Sequence, residues 1–160
     1  MSMKDLLEAF KLIDKNKAKG RLGGKVDKKN FDIAENLLSI KFPPTYSLFL
    51  KEYGYGGIYD TEIYGIINNK LDAVGALNIV WLILNERKEF GLPDSHIIIS
   101  DTGDGFWYVL DSSQPNKEGE YPVFIYGFGD DGKSQEKVNE DFGAFLLEQI
   151  KWSLSDEDDD

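Results

Sequence analysis

Cysteine is absent from this 160-residue chain, and histidine occurs once, as His96. Without cysteine there is no disulfide framework, no thiolate nucleophile and no cysteine-ligated zinc site. A Ser-His-Asp arrangement or a histidine-ligated metal would rest on one residue at the start of an apolar run, where a histidine without a chemical role is more common. We therefore predict no catalytic set, no metal site and no cofactor.

Long hydrophobic runs are also missing. The longest, IVWLIL at 79–84, is too short to span a bilayer. The N-terminal segment carries Asp5 and Glu8, where a signal peptide would need an uninterrupted apolar stretch. Together with the lack of cysteine, this predicts a soluble cytoplasmic protein with no membrane partner.

Acidic side chains outnumber basic ones, 29 to 18, and the net charge is −11. The distribution is uneven, because residues 1–29 hold nine Lys or Arg against four Asp or Glu, while residues 30–160 sum to −16. Such an acidic body repels nucleic acid and raises the encounter rate of basic partners. Charge alone favours the simpler alternative, in which the acid only keeps the protein soluble.

Five segments have the apolar spacing or the capping residues of amphipathic helices. They are 3–14, a helix capped by Asn30, a helix from Pro44, 78–90 and a last helix capped by Asp141. The second of these is expected to bury Ile33, Ala34, Leu37 and Leu38.

Four segments read as strands, because they are apolar or alternate and are separated by Gly, Asp, Asn or Pro. They are 58–67, 96–100, 106–111 and 121–127, and the last three predict an antiparallel meander. The lysine-rich stretch 15–29 lacks periodicity and predicts a mobile basic loop. The acidic end, 155–160, predicts a disordered tail, which leaves one domain over 1–154.

Residues 42–57, FPPTYSLFLKEYGYGG, combine a proline-started helix with a glycine-rich end. Pro44 is tolerated in a first helical turn, since its missing N–H would be unbonded there, and Gly54 is the expected stop. The predicted buried face of this helix is Tyr46, Phe49, Leu50 and Tyr53. Beside the glycines, Tyr55 and Tyr59 are expected either in the core or in a protein interface, which favours rigid aromatic rings.

Acidic residues around 101–111 resemble a calcium loop only in part. An EF-hand loop starting at Asp101 needs Asp or Asn at its third position and Glu at its twelfth, where this chain has Gly103 and Ser112. Asp104 followed by Gly105 is instead typical of a hairpin turn. We therefore predict a turn at this position.

Residues 127–134, GFGDDGKS, formally satisfy the pattern of a phosphate-binding loop after an apolar strand. Asp130 and Asp131 would repel a polyphosphate, and the following QEKVNEDFG is a poor start for a packed helix. We interpret the segment as an acidic loop between a strand and the last helix, and we expect no nucleotide.

Taken in order, these segments resemble the SUKH superfamily, the bacterial immunity proteins related to a yeast regulator of cell-wall synthesis. The resemblance covers roughly residues 28–150. In its first half it rests on residues 33–38, which match the family's first helix motif in a looser form, on Phe42-Pro43-Pro44, and on the helix from Tyr46 that ends in 53–57. In its second half it rests on Gly103-Asp104-Gly105 before an aromatic strand and on a final helix at 142–146. This chain departs from the family pattern in Gly54-Tyr55-Gly56-Gly57, the basic loop and the acidic tail.

The resemblance implies an α+β fold, a single domain in which helices pack around a curved antiparallel sheet. It also implies that the chain binds and neutralises a cognate toxin domain. Many such toxins are nucleases with basic clefts, so carboxylates of this chain would stand in for phosphates. Residues expected to bind the partner are Tyr55, Tyr59, Asp60, Asp101, Asp104, Trp107, Asp130 and Asp131. The alternatives are an adaptor with several weak partners and a metal- or nucleotide-dependent enzyme.

Overall fold

Helices come before, between and after the strands of the chain in the computed structural model, which describes residues 2–75, 77–129 and 132–158. Within these ranges the helices are α1 (Ser2–Lys15), α2 (Lys28–Leu38), α3 (Pro44–Tyr53), α4 (Ile79–Phe90) and α5 (Phe142–Asp158). The strands are β1 (Gly20–Leu22), β2 (Gly56–Ile58), β3 (His96–Asp101), β4 (Trp107–Asp111), β5 (Val123–Gly129) and β6 (Gly132–Asn139). Both kinds of element contribute to one buried apolar cluster, so the predicted α+β fold is confirmed.

Strands β3 to β6 form an antiparallel sheet in which each strand pairs with the next, while β1 and β2 form a separate pair. Trp107 and its cross-strand partner Tyr126 share one face, and Tyr108 lies on the other. The Tyr108 ring contacts Phe145 of α5, with centroids 4.9 Å apart. Trp107 and Tyr126 instead share a cleft with Phe90 of α4. Helices α4 and α5 therefore cover opposite faces of the sheet.

Two β-bulges curve this sheet. The register between β3 and β4 shifts between Ile98 and Ser100, and the register between β5 and β6 shifts between Val123 and Phe124. A bulge inserts an unpaired residue on one strand and increases the local bend and twist. The extra residues are Ile99 on β3 and Val138 on β6, so the bulges lie on the two edge strands of the sheet.

Helix α3 follows the predicted motif closely. Pro43 precedes the helix in extended conformation, Pro44 occupies its first turn, and Gly54 ends it with a φ of 72°. The side chains predicted to face the core are all buried, namely Tyr46, Phe49, Leu50 and Tyr53. The proline start and glycine stop are local signals, which is why the sequence was sufficient to predict this helix.

Helix α2 is capped by Asp27, so the prediction of Asn30 as its cap was wrong. The Asp27 carboxylate accepts a hydrogen bond from the Asn30 N–H at 2.7 Å, which places Asn30 inside the first turn. The buried residues of this helix are Phe31, Ala34, Glu35 and Leu38, while the predicted Ile33 and Leu37 are exposed. Periodicity missed this face because it includes Glu35, whose carboxylate accepts from the Phe42 N–H at 2.7 Å.

Residues 59–67 are mostly irregular, although the sequence predicted a strand. Beyond β2 the chain makes isolated bridges from Ile63 to Gly56 and from Gly65 to Asn78. Tyr59 has a φ of 49°, in the left-handed region that ends regular pairing. The apolar residues that nearly alternate in 59–67 pack against the core, and few of them pair with another strand.

Residues 132–139 form strand β6, so the end of the segment predicted as an acidic loop, 132–134, is part of a strand. Because β6 is an edge strand and pairs only with β5, its polar sequence carries little of the apolar signal of a buried strand. The phosphate-loop pattern at 127–134 therefore leads into a strand and lacks the helix N-terminus that a phosphate needs. Asp130 and Asp131 lie outside the described residues.

Regular structure extends into both charged segments, the basic stretch 15–29 and the acidic C-terminal stretch. Within 15–29, a short 3-10 turn covers Lys17–Lys19, and β1 follows it and pairs with β2. Helix α5 continues to Asp158, beyond the point where the acidic composition predicted that order would end. The partner of β1 lies in the segment after α3, so local composition does not reveal the pairing.

Glu120 ties the segment before β5 to the start of α3. Its buried carboxylate accepts from the Thr45 N–H at 3.0 Å and from the Thr45 hydroxyl at 2.7 Å. Burial raises the pKa of Glu120, the two bonds from Thr45 oppose that shift, and the carboxylates of Asp141 and Glu118 add to it. The folded state therefore holds the Glu120 proton more tightly than the unfolded chain does.

This shift predicts that Glu120 makes the fold less stable as the pH rises. The folded pKa lies above the ordinary 4.5, so the free energy of unfolding falls between pH 4.5 and the raised pKa. Glu120→Gln keeps a hydrogen-bond partner for each Thr45 group but removes the charge, so the decline should become smaller. Urea unfolding from pH 4.5 to neutral pH measures it, with the exposed Glu89→Gln as the control. A difference between wild type and Glu120→Gln that stays constant with pH would contradict the prediction.

Candidate partner-binding surface

The two tyrosines beside the glycines take different positions. Tyr55 is buried in the core, and burial followed by the side chain of Glu62 raises the pKa of its hydroxyl. Tyr59 is only partly buried, and its backbone N–H donates to the Lys19 carbonyl at 3.0 Å. Of this pair, Tyr59 is therefore the one that remains partly exposed.

The segment after Tyr59 is docked firmly on the sheet. The Ser100 hydroxyl donates to the Glu62 carbonyl at 2.7 Å, and the Tyr64 N–H donates to the Ile99 carbonyl at 2.8 Å. On the other side, the Thr61 hydroxyl donates to the Gln149 carbonyl at 3.1 Å. These bonds fix the backbone of 61–64 between β3 and α5.

This docking brings three carboxylates to one concavity, which we call the acidic groove. The groove has a volume of about 250 Å³. It is lined by Asp60, Thr61, Glu62, Ile63, Ser100, Asp101, Gly103 and Gln149. Asp60 and Asp101 were predicted from the sequence as partner-binding residues. Glu62 was missed, because nothing in a half-irregular segment indicates which side chains face outward.

The turn between β3 and β4 holds its carboxylates in place. Asp101 accepts from the Gly103 N–H at 2.6 Å, and Asp104 accepts a short bond from the Thr102 hydroxyl. The Thr102 hydroxyl also accepts from the Phe106 N–H at 3.2 Å. The predicted hairpin turn is thus confirmed, with both aspartates exposed and their side chains oriented by the turn itself. Asp104 does not line the acidic groove but a second cleft, together with Thr102 and Phe106.

Positive charge does not neutralise the groove within the described part of the chain. The ion pairs found there join Lys17 to Asp14, Lys28 to Asp32, Lys41 to Glu35, Arg87 to Asp94, Lys137 to Glu140 and Lys151 to Glu8. None of them includes Asp60, Glu62, Asp101 or Asp104. Burial first, and then the carboxylates of Asp101 and Glu62, raise the pKa of Tyr64 to about 12. The groove is therefore a region of negative potential.

Asp111 does not join these carboxylates. It lies four residues beyond Trp107, the residue that pairs with Asp101, which separates the two acids by about 13 Å along the strands. Burial opposes ionisation of Asp111, but hydrogen bonds from Ser113 and Gln114 outweigh it and lower the pKa. Among the described residues, no group of three or more His, Asp or Glu is placed to hold a metal ion.

Trp107 does not line the acidic groove and lies instead in a cleft beside α4. It is half-buried, and its ring lies edge-on to Tyr64 with centroids 6.3 Å apart. His96 is buried on the same face, where its Nε2 lies 2.9 Å from the Gln135 Oε1 and its ring packs edge-on against Tyr126. Of the predicted partner-binding residues, the structure thus brings Asp60 and Asp101 into one groove and places Trp107 in a separate cleft beside α4.

The fold and this surface define a class of protein, an α+β domain that exposes an acidic groove. Residues 28–146 match the family model SUKH_6, described as SMI1-KNR4 cell-wall. The chain therefore belongs to the SUKH superfamily. Members of this family are immunity or regulatory proteins and generally not enzymes, so membership supports a role of the toxin-immunity type. No described helix is long and apolar enough to cross a membrane.

Proposed function

We propose that this protein is an immunity protein that binds a toxin domain, a nuclease, and occludes its active site with the acidic groove. The observation that carries the proposal is the convergence of Asp60, Glu62 and Asp101 on one concavity, with Asp104 in the same turn as Asp101. A nuclease must attract phosphates, so its cleft is basic, and a row of carboxylates complements it.

Preorganisation of the groove supports tight binding. Side chains that are already oriented lose less conformational entropy when a partner binds. The backbone bonds of Glu62 and Tyr64 to β3 hold one wall, and the bond from the Gly103 N–H to Asp101 holds the other. The Asp101 carboxylate and the backbone that carries Glu62 are therefore held in place before a partner binds.

Neutralising the groove is expected to weaken toxin binding about 10- to 100-fold at low salt. The variant is Asp60→Asn, Glu62→Gln and Asp101→Asn, in which each amide keeps an acceptor oxygen for the existing hydrogen bonds. The partner is first captured from the native cell with the tagged protein and identified by mass spectrometry. Calorimetry on the two purified proteins at low and high salt then measures the affinities.

A matched variant separates the effect of charge in the groove from the effect of the total charge on affinity. Glu52→Gln, Asp72→Asn and Glu89→Gln remove three exposed carboxylates outside the groove and should change the affinity less than about threefold. Equal losses in the two triple variants would contradict the assignment of the groove. A tight complex that is indifferent to salt would leave occlusion in place but exclude phosphate mimicry, and a set of weak partners would favour an adaptor.

A further inference from the structure

A cleft on the other face of the sheet has both aromatic and acidic walls. It lies between the end of α4 and the sheet and has a volume of about 180 Å³. Its lining is Glu86, Phe90, Leu92, Gly105, Trp107, Tyr126 and Gly127. Pockets for drug-sized ligands have about 300–1,000 Å³, so this cleft has room for a single side chain or a small molecule of that size.

Glu86 supplies the carboxylate of this cleft, and no ion pair with Glu86 is present among the described residues. Its neighbour Arg87 is engaged elsewhere, since the guanidinium donates to the Asp94 carbonyl at 3.0 Å and its Nε lies 3.8 Å from the Asp94 carboxylate. Burial raises the pKa of Glu86. A cation in the cleft would offset that cost of burial by pairing with the carboxylate.

Aromatic rings make up much of the remaining wall. Phe90 is 55 % exposed at the mouth, Trp107 is half-buried, and Tyr126 is 5 % exposed. The Tyr126 hydroxyl is buried and has no hydrogen-bond partner within the described ranges. Burial, and then the Glu86 carboxylate, raise the pKa of that hydroxyl, which places the two polar groups near each other. Aromatic faces next to a carboxylate attract cations with alkyl chains.

We propose that this cleft binds the side chain of a lysine from a protein partner. The ammonium pairs with Glu86 and lies against the aromatic rings, while the alkyl chain packs on Phe90 and Leu92. The net charge of −11 favours a basic partner, and the volume fits one side chain. This inference does not depend on the acidic groove, because the cleft and the groove share no lining residue.

The test is a titration of the whole protein, ¹⁵N-labelled, with Nα-acetyl-lysine-methylamide. The indole N–H of Trp107, assigned by its loss in Trp107→Phe, is expected to shift and to saturate. The norleucine derivative has the same alkyl chain without the ammonium, and it should bind at least about tenfold more weakly. Glu86→Gln should weaken binding of the lysine derivative by a similar factor, and Phe90→Leu by a few-fold.

Glu89→Gln is the matched control, because it removes a carboxylate from the same helix outside the cleft, and it should leave binding unchanged. Equal binding of the lysine and norleucine derivatives would overturn the proposal, since the cleft would then be merely apolar. A folded protein, with a dispersed amide spectrum, that shows no saturable shift of the Trp107 indole would overturn it as well.

Discussion

Gly56→Ala is expected to lower the free energy of unfolding by more than about 3 kcal/mol. Gly56 has a φ of 108°, a conformation that residues with a side chain rarely adopt. A Cβ at this position would overlap the carbonyl oxygen of Arg21 on β1. Because the obstacle is backbone, no rotamer change relieves it, and the pairing of β1 with β2 must open.

Gly119→Ala separates the cost of the unusual φ from the cost of the overlap. Gly119 has a φ of 80°, but a Cβ there would meet open space, so we expect a loss of only about 1–2 kcal/mol. Urea unfolding followed by circular dichroism measures both variants. Similar losses in the two would show that conformation alone explains the glycine and that the contact with β1 is unimportant.

Tyr46→Ala should destabilise the fold by about 4 kcal/mol or more. Tyr46 is fully buried, and its ring packs edge-on against Phe42 and Phe142, with centroids 5.5 and 5.1 Å away. Its hydroxyl donates to the Tyr64 carbonyl at 2.6 Å, which joins α3 to the wall of the acidic groove. Removal of the side chain leaves a cavity where α3, α5 and the segment at 64 meet.

Tyr46→Phe separates the contribution of the ring packing from that of the hydroxyl hydrogen bond. It keeps the ring contacts and removes only the bond to the Tyr64 carbonyl, so the expected loss is about 1–2 kcal/mol. Thermal and urea unfolding of both variants give the comparison. If Tyr46→Phe lost as much stability as Tyr46→Ala, the hydroxyl would be the main contribution and the packing account would be wrong.

Local signals explain the parts of the structure that could be predicted. Pro44 and Gly54 bound α3, and Asp141 caps α5 by accepting from the Ala144 N–H at 2.8 Å. Asp104 and Gly105 mark the β3–β4 turn, where the side-chain bonds stay within six residues. In each case the interaction joins neighbours in the chain, so the order of residues already contains it.

The acidic groove could be predicted only in part, because its walls come from separate segments. Asp101 was recognised at its turn, but Glu62 joins it only because the backbone of 61–64 docks on β3. Tyr55 is buried in the core, although its position beside glycines was equally compatible with exposure. Strand β6 was not predicted for a related reason. It lies at the edge of the sheet, so its polar sequence lacks the apolar pattern that indicates a strand.

By itself, the sequence determined the helix from Pro44 to Tyr53, the meander from β3 to β5, the acidic character and the superfamily, since all of these depend on composition or on contacts between near neighbours. Only the tertiary structure decided which carboxylates share a groove, that Trp107 faces α4, and that Glu86 lies beside aromatic rings. These arrangements join residues far apart in the chain, and the packing of helices and loops on a curved sheet sets them, which no local pattern records.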